Sequence, residues 1–255
     1  MIKKSPNKIV CIVQARMGSS RLPGKVLKKI NGTPMVGHCL ARLKLANSIN
    51  KIILATTDLD DDLELCRYAQ SIDDIFVFRG NADDVLNRYR KCAQEHNADI
   101  IVRATADNPL VDPKIVDEIV NFFLNNKNID YCSNKISPSF PMGFDIEVFS
   151  FDTLKTIDDE CEDKYDREHV TPPILRQQDR FFIKNFRSKL NNSDLRLTVD
   201  YQSDFELVEK IFSHFKSNKE FTCEDVVLFL RENPSLITLD EKLLLDMKKK
   251  RREFR

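Results

Sequence analysis

IVCIVQARMGSSRLPGKVL, residues 9–27, is the stretch that decides the fold. It opens with the apolar and mostly β-branched run Ile9–Val13, a pattern typical of a strand that is buried on both faces. A loop that contains Gly18 and Gly24 follows, and the apolar spacing of residues 35–43 then predicts a helix with one buried face. A buried strand that leads through a loop into a helix indicates the first half of a βαβ unit.

The alternation of strands and helices continues beyond this stretch. Further strands are predicted at residues 51–55, 75–78 and 99–103, and helices at 61–69 and 84–96. Residues 130–150 break the rhythm because prolines and turn clusters interrupt their strand-like stretches, so we expect an antiparallel excursion there. Later helices are expected at 151–158, 168–177, 204–215, 223–232 and from 241 onward, with 196–199 as a strand that returns to the sheet. The pattern predicts an α/β fold with a mostly parallel sheet flanked by helices.

Composition restricts the class of protein. The 40 basic and 40 acidic residues cancel, so the net charge gives no argument for binding to nucleic acid or to a membrane. The seven cysteines form no CxxC pair, which argues against a disulfide framework or structural zinc and favours a reducing, cytoplasmic location. The apolar run near the N-terminus is too short for a signal peptide or a membrane span. No Pro/Gly/Ser linker divides the chain, so one domain is expected.

The loop after the first strand has the composition of a phosphate cradle. Four of the six glycines fall between residues 18 and 37, and glycine allows the backbone to approach a ligand closely. Cations and a hydroxyl suited to phosphate oxygens accompany them: Arg16, Ser19, Arg21 and Lys25. Taken alone, these residues fit an ordinary solvated basic loop equally well. Their spacing matches neither a P-loop nor a G-x-G-x-x-G dinucleotide motif.

The same residues carry a family resemblance. QARMGSSRLPGKVL, residues 14–27, resembles the A-R-x-x-S-x-R-x-P-G-K signature of the cytidylyltransferases that make CMP-activated sugar acids, which include the CMP-Kdo and CMP-acylneuraminate synthetases. The branch of the spore coat polysaccharide biosynthesis protein F looks most similar. Segments that resemble this branch follow in the same order: ATTDLDDDLE (55–64), FRGNADDVLNRY (78–89), RATADNPLVDP (103–113), GFDIEVFS (143–150), DREHVTP (166–172) and RLTVDYQSDFELV (196–208).

The resemblance implies an activity and an architecture. It implies a Rossmann-like, GT-A-type nucleotidyltransferase domain over residues 1–255, in which 130–190 binds the acceptor and forms a homodimer. Phe140, Met142 and Phe144 are either apolar contacts of that dimer or core residues. The implied reaction couples CTP to a sugar acid, with Mg²⁺, for surface polysaccharide or glycoconjugate biosynthesis, and releases pyrophosphate. The alternatives are another nucleoside triphosphate or a sugar 1-phosphate acceptor, or a nucleotide-binding subunit without catalysis.

The resemblance also implies site residues. The nucleotide-binding set is Ala15, Arg16, Gly18, Ser19, Arg21, Lys25, Arg103 and Thr105. The catalytic set is Arg16, Lys25 and Asp107. Asp107 and Asp200 are the implied Mg²⁺ ligands, since each follows a predicted strand and Mg²⁺ prefers carboxylate oxygens. The acceptor-binding set is Asp145, Glu147, Arg167 and His169, because a sugar acid needs a cation and a group that accepts a proton.

Several of these residues also have a structural interpretation. Asp107 fits a turn before Asn108-Pro109, and Asp200 fits the start of the following helix. Arg88 and Arg103 are polar candidates that equally fit surface ion pairs. A lone histidine such as His169 is more often structural than catalytic.

Two charge runs are interpreted structurally. Residues 58–62 contain the D-x-D pattern of metal-dependent glycosyltransferases, but we expect these acidic residues to cap a helix. Residues 248–252 are a basic run near the chain end, which we expect to be solvated, so no nucleic-acid partner is predicted.

Overall fold

The computed structural model describes residues 7–126, 128–218, 220–237 and 241–252. Its strands are β1 (Ile9–Gln14), β2 (Lys29–Ile30), β3 (Thr33–Pro34), β4 (Lys51–Thr57), β5 (Ile75–Gly80), β6 (Ile100–Thr105), β7 (Tyr131–Ser133), β8 (Glu147–Ser150) and β9 (Ile183–Asn185). Its α-helices are α1 (Met35–Leu43), α2 (Leu63–Gln70), α3 (Val85–Glu95), α4 (Pro113–Asn125), α5 (Phe151–Glu160), α6 (Lys164–His169), α7 (Pro172–Arg176), α8 (Gln202–His214), α9 (Cys223–Glu232) and α10 (Glu241–Arg252).

Seven of the strands form one sheet in the order β5-β4-β1-β6-β8-β7-β9, and β2 pairs with β3 in a small separate sheet. β1, β4, β5 and β6 are parallel to one another. β8 runs antiparallel to both β6 and β7, and β9 is parallel to β7. This mixed sheet confirms the predicted α/β fold with a mostly parallel sheet and a smaller antiparallel part.

Hydrophobic cores cover both faces of the sheet, which explains the continuous apolar run of β1. Successive strand side chains point to opposite faces. Cys11 and Val13 therefore join the core that contains residues of α1, α4, α8 and α9, whereas Val10 and Ile12 join the core that contains residues of α3, α5 and α7. A polar side chain within β1 would be buried against one of these layers.

Side chains at the helix starts fix several helix boundaries. Asp84 accepts a hydrogen bond from the Asn87 amide and caps α3. Asp112 caps α4, with Pro113 at the first helical position, where a missing N–H carries no penalty. No helix in the described ranges is both long and apolar enough to cross a membrane.

The structure corrects three predictions about secondary structure. The helix expected at 168–177 is two short helices, α6 and α7, because Val170 between them has φ 73° and Pro172 begins the second. Residues 196–199 do not form a sheet strand, and their only bridge joins Arg196 to Met142. Residues Pro113–Asn125, for which no helix was predicted, form α4.

Candidate active site

The predicted site residues meet where the parallel strands end. The loop at residues 15–24 follows β1, and Asp107 lies two residues beyond β6. The segment before Asp200 is held against this edge, since the Val199 amide donates to the Asp107 carbonyl at 2.8 Å and the Leu197 amide donates to the Met142 carbonyl at 2.6 Å. These backbone contacts bring Asp107 and Asp200 into one place, although 92 residues separate them in the chain.

Lys25 lies between these two aspartates. Gly24 adopts φ 64° and turns the chain into the short 3-10 helix Lys25–Leu27. The Lys25 ammonium donates to the Val199 carbonyl at 2.7 Å and to Asp200 Oδ1 at 3.1 Å, and it lies 3.4 Å from Asp107 Oδ2. Two carboxylates thus share one cation at the carboxyl end of the sheet.

Asp107 and Asp200 are the residues that could hold a divalent cation. Mg²⁺ is bound in proteins by one or two carboxylates together with phosphate oxygens and water. The Lys25 ammonium shows that a single cation can contact both aspartates at once. The remaining oxygens are oriented by neighbours, because the Thr105 hydroxyl donates to Asp107 Oδ1 at 2.5 Å and Arg196 donates to Asp200 Oδ2 at 3.1 Å.

Asp200 does not cap the following helix. The carboxylate at the start of α8 is that of Asp204, which accepts from the amides of Tyr201 at 3.0 Å and Asp200 at 2.9 Å. Asp200 instead has a side chain that is 1% exposed and contacts Arg21, Lys25 and Arg196. Asp200 thus lies directly before α8, where Asp204 accepts from its amide, while its own carboxylate contacts the three cations; Asp107 lies in a turn.

Arg21 and Arg196 extend this network of charges. Arg21 donates to Asp200 Oδ1 at 2.9 Å and to Asp246 Oδ1 at 3.2 Å. Burial alone would lower the pKa of Arg21, but Asp200 and, more weakly, Asp246 raise it above its ordinary value. Arg196 donates to both oxygens of Asp204 at 2.9 and 3.0 Å. Arg196 was not predicted as a site residue. The spacing of Arg196, Asp200 and Asp204, each four residues from the next, was a signal in the sequence that these charges could pair.

A buried carboxylate anchors the other end of the loop. Asp62 Oδ1 accepts from the Met17 amide at 2.7 Å, and Oδ2 accepts from the Thr56 hydroxyl at 2.7 Å, the Thr57 amide at 3.0 Å and the Thr57 hydroxyl at 2.5 Å. Burial raises the pKa of Asp62, but the hydrogen bonds from Thr57, Thr56 and Met17 together lower it below the ordinary value. The expectation that this carboxylate caps a helix is wrong, because it ties the loop to the end of β4.

The remaining nucleotide-binding candidates lie along the same loop. Ala15 is buried, and its amide donates to the Ala55 carbonyl at 3.3 Å. A Cβ on the exposed Gly18 would meet no atom, so space lies beside it. Ser19 Oγ accepts from the Leu22 amide at 3.4 Å. Arg16 is half exposed and lies 3.6 Å from Glu168, which brings the loop beside the proposed acceptor segment.

A cavity of about 250 Å³ opens beside the two aspartates. It is lined by Arg21, Arg103, Thr105, Asp107, Asn108, Lys135, Pro138, Phe140, Met142, Asp145, Tyr165, His169, Pro172, Thr198 and Asp200. Of the four acceptor-binding candidates, Asp145 and His169 line it. The His169 ring packs on that of Tyr165, with 4.1 Å between the ring centroids.

The other two acceptor-binding candidates have structural partners. Glu147 is buried, forms an ion pair with Arg103, and accepts from the hydroxyls of Tyr131 at 2.8 Å and Thr171 at 2.6 Å. Burial raises the pKa of Glu147, but Arg103 and then Lys135 outweigh it and lower this pKa to about 2. Glu147 therefore orients Arg103 at the cavity wall rather than lining the cavity itself.

Arg167 is directed away from the cavity. Its guanidinium donates to Asp84 at 2.8 Å, to Asp158 Oδ1 at 2.6 Å and to the Cys161 carbonyl at 2.6 Å. These bonds tie α6 to the start of α3 and to α5. Lys135, which was not predicted as a site residue, lines the cavity together with Arg21 and Arg103, and its ammonium lies 3.5 Å from Glu147 Oε1.

Comparison with known proteins assigns the family. Residues 10–234 match the sequence model of the cytidylyltransferases. The chain belongs to the cytidylyltransferase family. It is 35% identical to a cytidylyltransferase from Leptospira borgpetersenii, whose structure aligns with a TM-score of 0.87 over 92% of this chain and 100% of that one. The resemblance inferred from the sequence is thereby confirmed.

Two relatives are similar in sequence to this cytidylyltransferase, one over most of the chain and one over less than half of it. The spore coat polysaccharide biosynthesis protein SpsF of Bacillus subtilis is 31% identical to it, across 91% of this chain and 98% of that protein. An 8-amino-3,8-dideoxy-manno-octulosonate cytidylyltransferase of a Shewanella species is 30% identical, over 45% of this chain and 47% of that enzyme.

The remaining candidates are Arg88 and three apolar residues of the 130–150 segment, some of which are buried while others line the cavity. Arg88 is 1% exposed and donates to the Asn81 carbonyl at 2.6 Å, so it is not a surface ion-pair partner. Phe144 is fully buried, and Phe140 stacks on Phe186 while lining the cavity. Met142 also lines the cavity. Of the two interpretations of these apolar residues, core packing applies to Phe144.

Proposed function

We propose that this cytidylyltransferase transfers the cytidylyl group of CTP to a hydroxyl of a sugar acid. The observation that carries the proposal is the convergence of the nucleotide loop with Asp107 and Asp200, bridged by Lys25, at the edge of a cavity. Lys135 and His169 line the same cavity. Charged groups for a triphosphate and groups for a polar acceptor thus share one space.

The residues of the loop supply positive charge for the triphosphate. Arg16, Arg21 and Lys25 extend from one connection, and phosphoryl transfer depends mainly on positioning and on stabilising charge that develops on the leaving group. Lys25 would exchange its carboxylate partners for phosphate oxygens. Asp107 and Asp200 would then hold Mg²⁺, which neutralises charge on the phosphate oxygens when bound.

A sugar acid suits the cavity, with Lys135 as the residue that binds its carboxylate. The Shewanella relative is named for an octulosonate, which is a sugar acid. In the reaction, an acceptor oxygen forms a bond to the α-phosphorus, the bond to the pyrophosphate oxygen breaks, and the hydroxyl proton leaves to a base. His169 and Asp145 line the cavity and are the proposed partners of that hydroxyl.

Pyrophosphate release tests this proposal. The purified chain is incubated with CTP, Mg²⁺ and a panel of 2-keto-3-deoxy sugar acids, and the CMP-sugar is identified by mass. ATP, GTP, UTP and a sugar 1-phosphate panel test the alternative substrates. We expect Asp107→Ala to abolish turnover, while Asp152→Asn, an exposed change on α5, leaves it intact. Tight CTP binding without any product would favour the non-catalytic subunit instead.

The assembly and location stay predictions. A homodimer built on residues 130–190 is tested by the mass of the chain in solution, and a mass of one chain at micromolar concentration would contradict it. A cytoplasmic location is tested by fractionating cells that produce the protein.

A further inference from the structure

The C-terminal helix α10 reaches the nucleotide site from outside the matched family region, which ends at residue 234. Leu243 and Met247 are each 4% exposed, whereas Leu245 is 65% exposed. Residues three and four apart lie on the same face of a helix. Asp246 therefore lies on the inward face of α10, with the two buried apolar residues that dock the helix.

The Asp246 carboxylate bridges two guanidinium groups. Oδ1 lies 3.2 Å from Arg21 Nη1, and Oδ2 lies 2.9 Å from Arg196 Nη1. Arg196 retains Asp200 and Asp204 as partners when Asp246 is removed. Arg21 is different, because its side chain is 43% exposed and is a proposed ligand of the triphosphate. Asp246 thus places a negative charge where an anionic ligand of Arg21 would lie.

We propose that Asp246 is an autoinhibitory counter-ion, which competes with the triphosphate of CTP for Arg21. The inference rests on the proposed function, and it adds a regulation of the same site by an element outside the family region. Carboxylate and phosphate oxygens use the same guanidinium donors. CTP must therefore displace Asp246 from Arg21, and any modification or partner that draws α10 away increases the affinity for CTP.

The expected gain in anion affinity on removal of the Asp246 charge follows from the exposure of Arg21. Ion pairs with one half-exposed partner are weak, so removing the Asp246 charge should tighten anion binding about two- to fivefold at low salt. The gain should shrink at high ionic strength, because salt screens charges near the surface. Asp246→Asn keeps the shape of the side chain and removes only the charge.

Calorimetric titration of the full chain tests this inference. The ligands are CTP with Mg²⁺ and inorganic tripolyphosphate, which carries the phosphates without a nucleoside. We expect Asp246→Asn to bind both ligands about two- to fivefold more tightly. The matched control is Glu232→Gln, which removes one negative charge from an exposed position on α9 and should leave both affinities unchanged. In an Arg21→Ala background, Asp246→Asn should have no effect.

Different results would overturn the autoinhibitory role of Asp246 and the proposed cytidylyl transfer. Equal or weaker anion binding by Asp246→Asn overturns the autoinhibitory role, and so does an undiminished gain in the Arg21→Ala background. If Asp246→Asn tightens the binding of tripolyphosphate but the chain binds CTP no more tightly than tripolyphosphate, the proposed function is overturned and the inference is supported. Failure of the unsubstituted chain to bind either anion overturns both.

Discussion

Asp62→Asn should weaken CTP binding from a position that the ligand need not touch. Asp62 accepts hydrogen bonds from two backbone amides, those of Met17 in the nucleotide loop and Thr57 at the end of β4, one on each carboxylate oxygen. An asparagine side chain can accept from one of these amides, but it presents an NH₂ group to the other. Whichever way the amide turns, one buried N–H loses its acceptor.

The magnitude follows from these contacts. An unsatisfied buried N–H costs about 1–3 kcal/mol, so the free energy of unfolding should fall by about 2 kcal/mol. Where the loop loses its anchor, CTP must order the backbone near Met17, at about 1–2 kcal/mol per residue, which corresponds to about tenfold weaker binding. We expect KM for CTP to rise by this factor, with a smaller change in kcat, because the reacting groups themselves are unchanged.

Asp117→Asn is the matched control. Asp117 on α4 also accepts from two backbone amides, those of Asn47 and Ser48, and from both of their side chains. These residues precede β4, so the anchor lies at the opposite end of the strand from the site. Denaturant unfolding and calorimetric CTP titration would measure both variants. If Asp117→Asn weakens CTP binding as much as Asp62→Asn does, the loop-anchor reasoning is refuted.

Three further predictions concern Glu147, Lys135 and Gly143. Because the pKa of Glu147 is lowered to about 2, its ionised form stabilises the fold above pH 4.5, and on the order of 3 kcal/mol is lost as the pH falls from 4.5 to 2. Glu147→Gln should remove this acid dependence from denaturant unfolding curves, and an unchanged profile would contradict the argument. Lys135→Met should raise KM for the acceptor about tenfold without changing KM for CTP, whereas the exposed change Lys184→Met on β9 should alter neither. Gly143→Ala should cost about 2 kcal/mol or more, since Gly143 has φ 114° and a Cβ would lie 2.5 Å from the Leu197 carbonyl carbon, and an unchanged melting temperature would count against this steric account.

Local sequence signals predicted much of the fold and the residues of the proposed nucleotide site. The apolar run of β1 has one physical explanation, since a strand covered on both faces needs apolar side chains in both directions. The start of α3 could be read from Asp84, because a cap acts on the amides of its own helix. The motifs likewise predicted that Asp107 follows a strand, and the structure places it two residues beyond the end of β6.

The sequence by itself therefore determined the alternating fold, the basic glycine-containing loop after β1 and the family, because those depend on patterns within short segments. Only the tertiary structure decided which charged side chains pair with each other and which face the cavity. Arg167 and Lys135 are both cations in plausible segments, yet one ties three helices together and the other lines the cavity. Asp62 acquires its role from Met17, and Asp246 from Arg21 and Arg196, which lie at least 45 residues away in the chain; these pairings depend on packing and leave no local pattern.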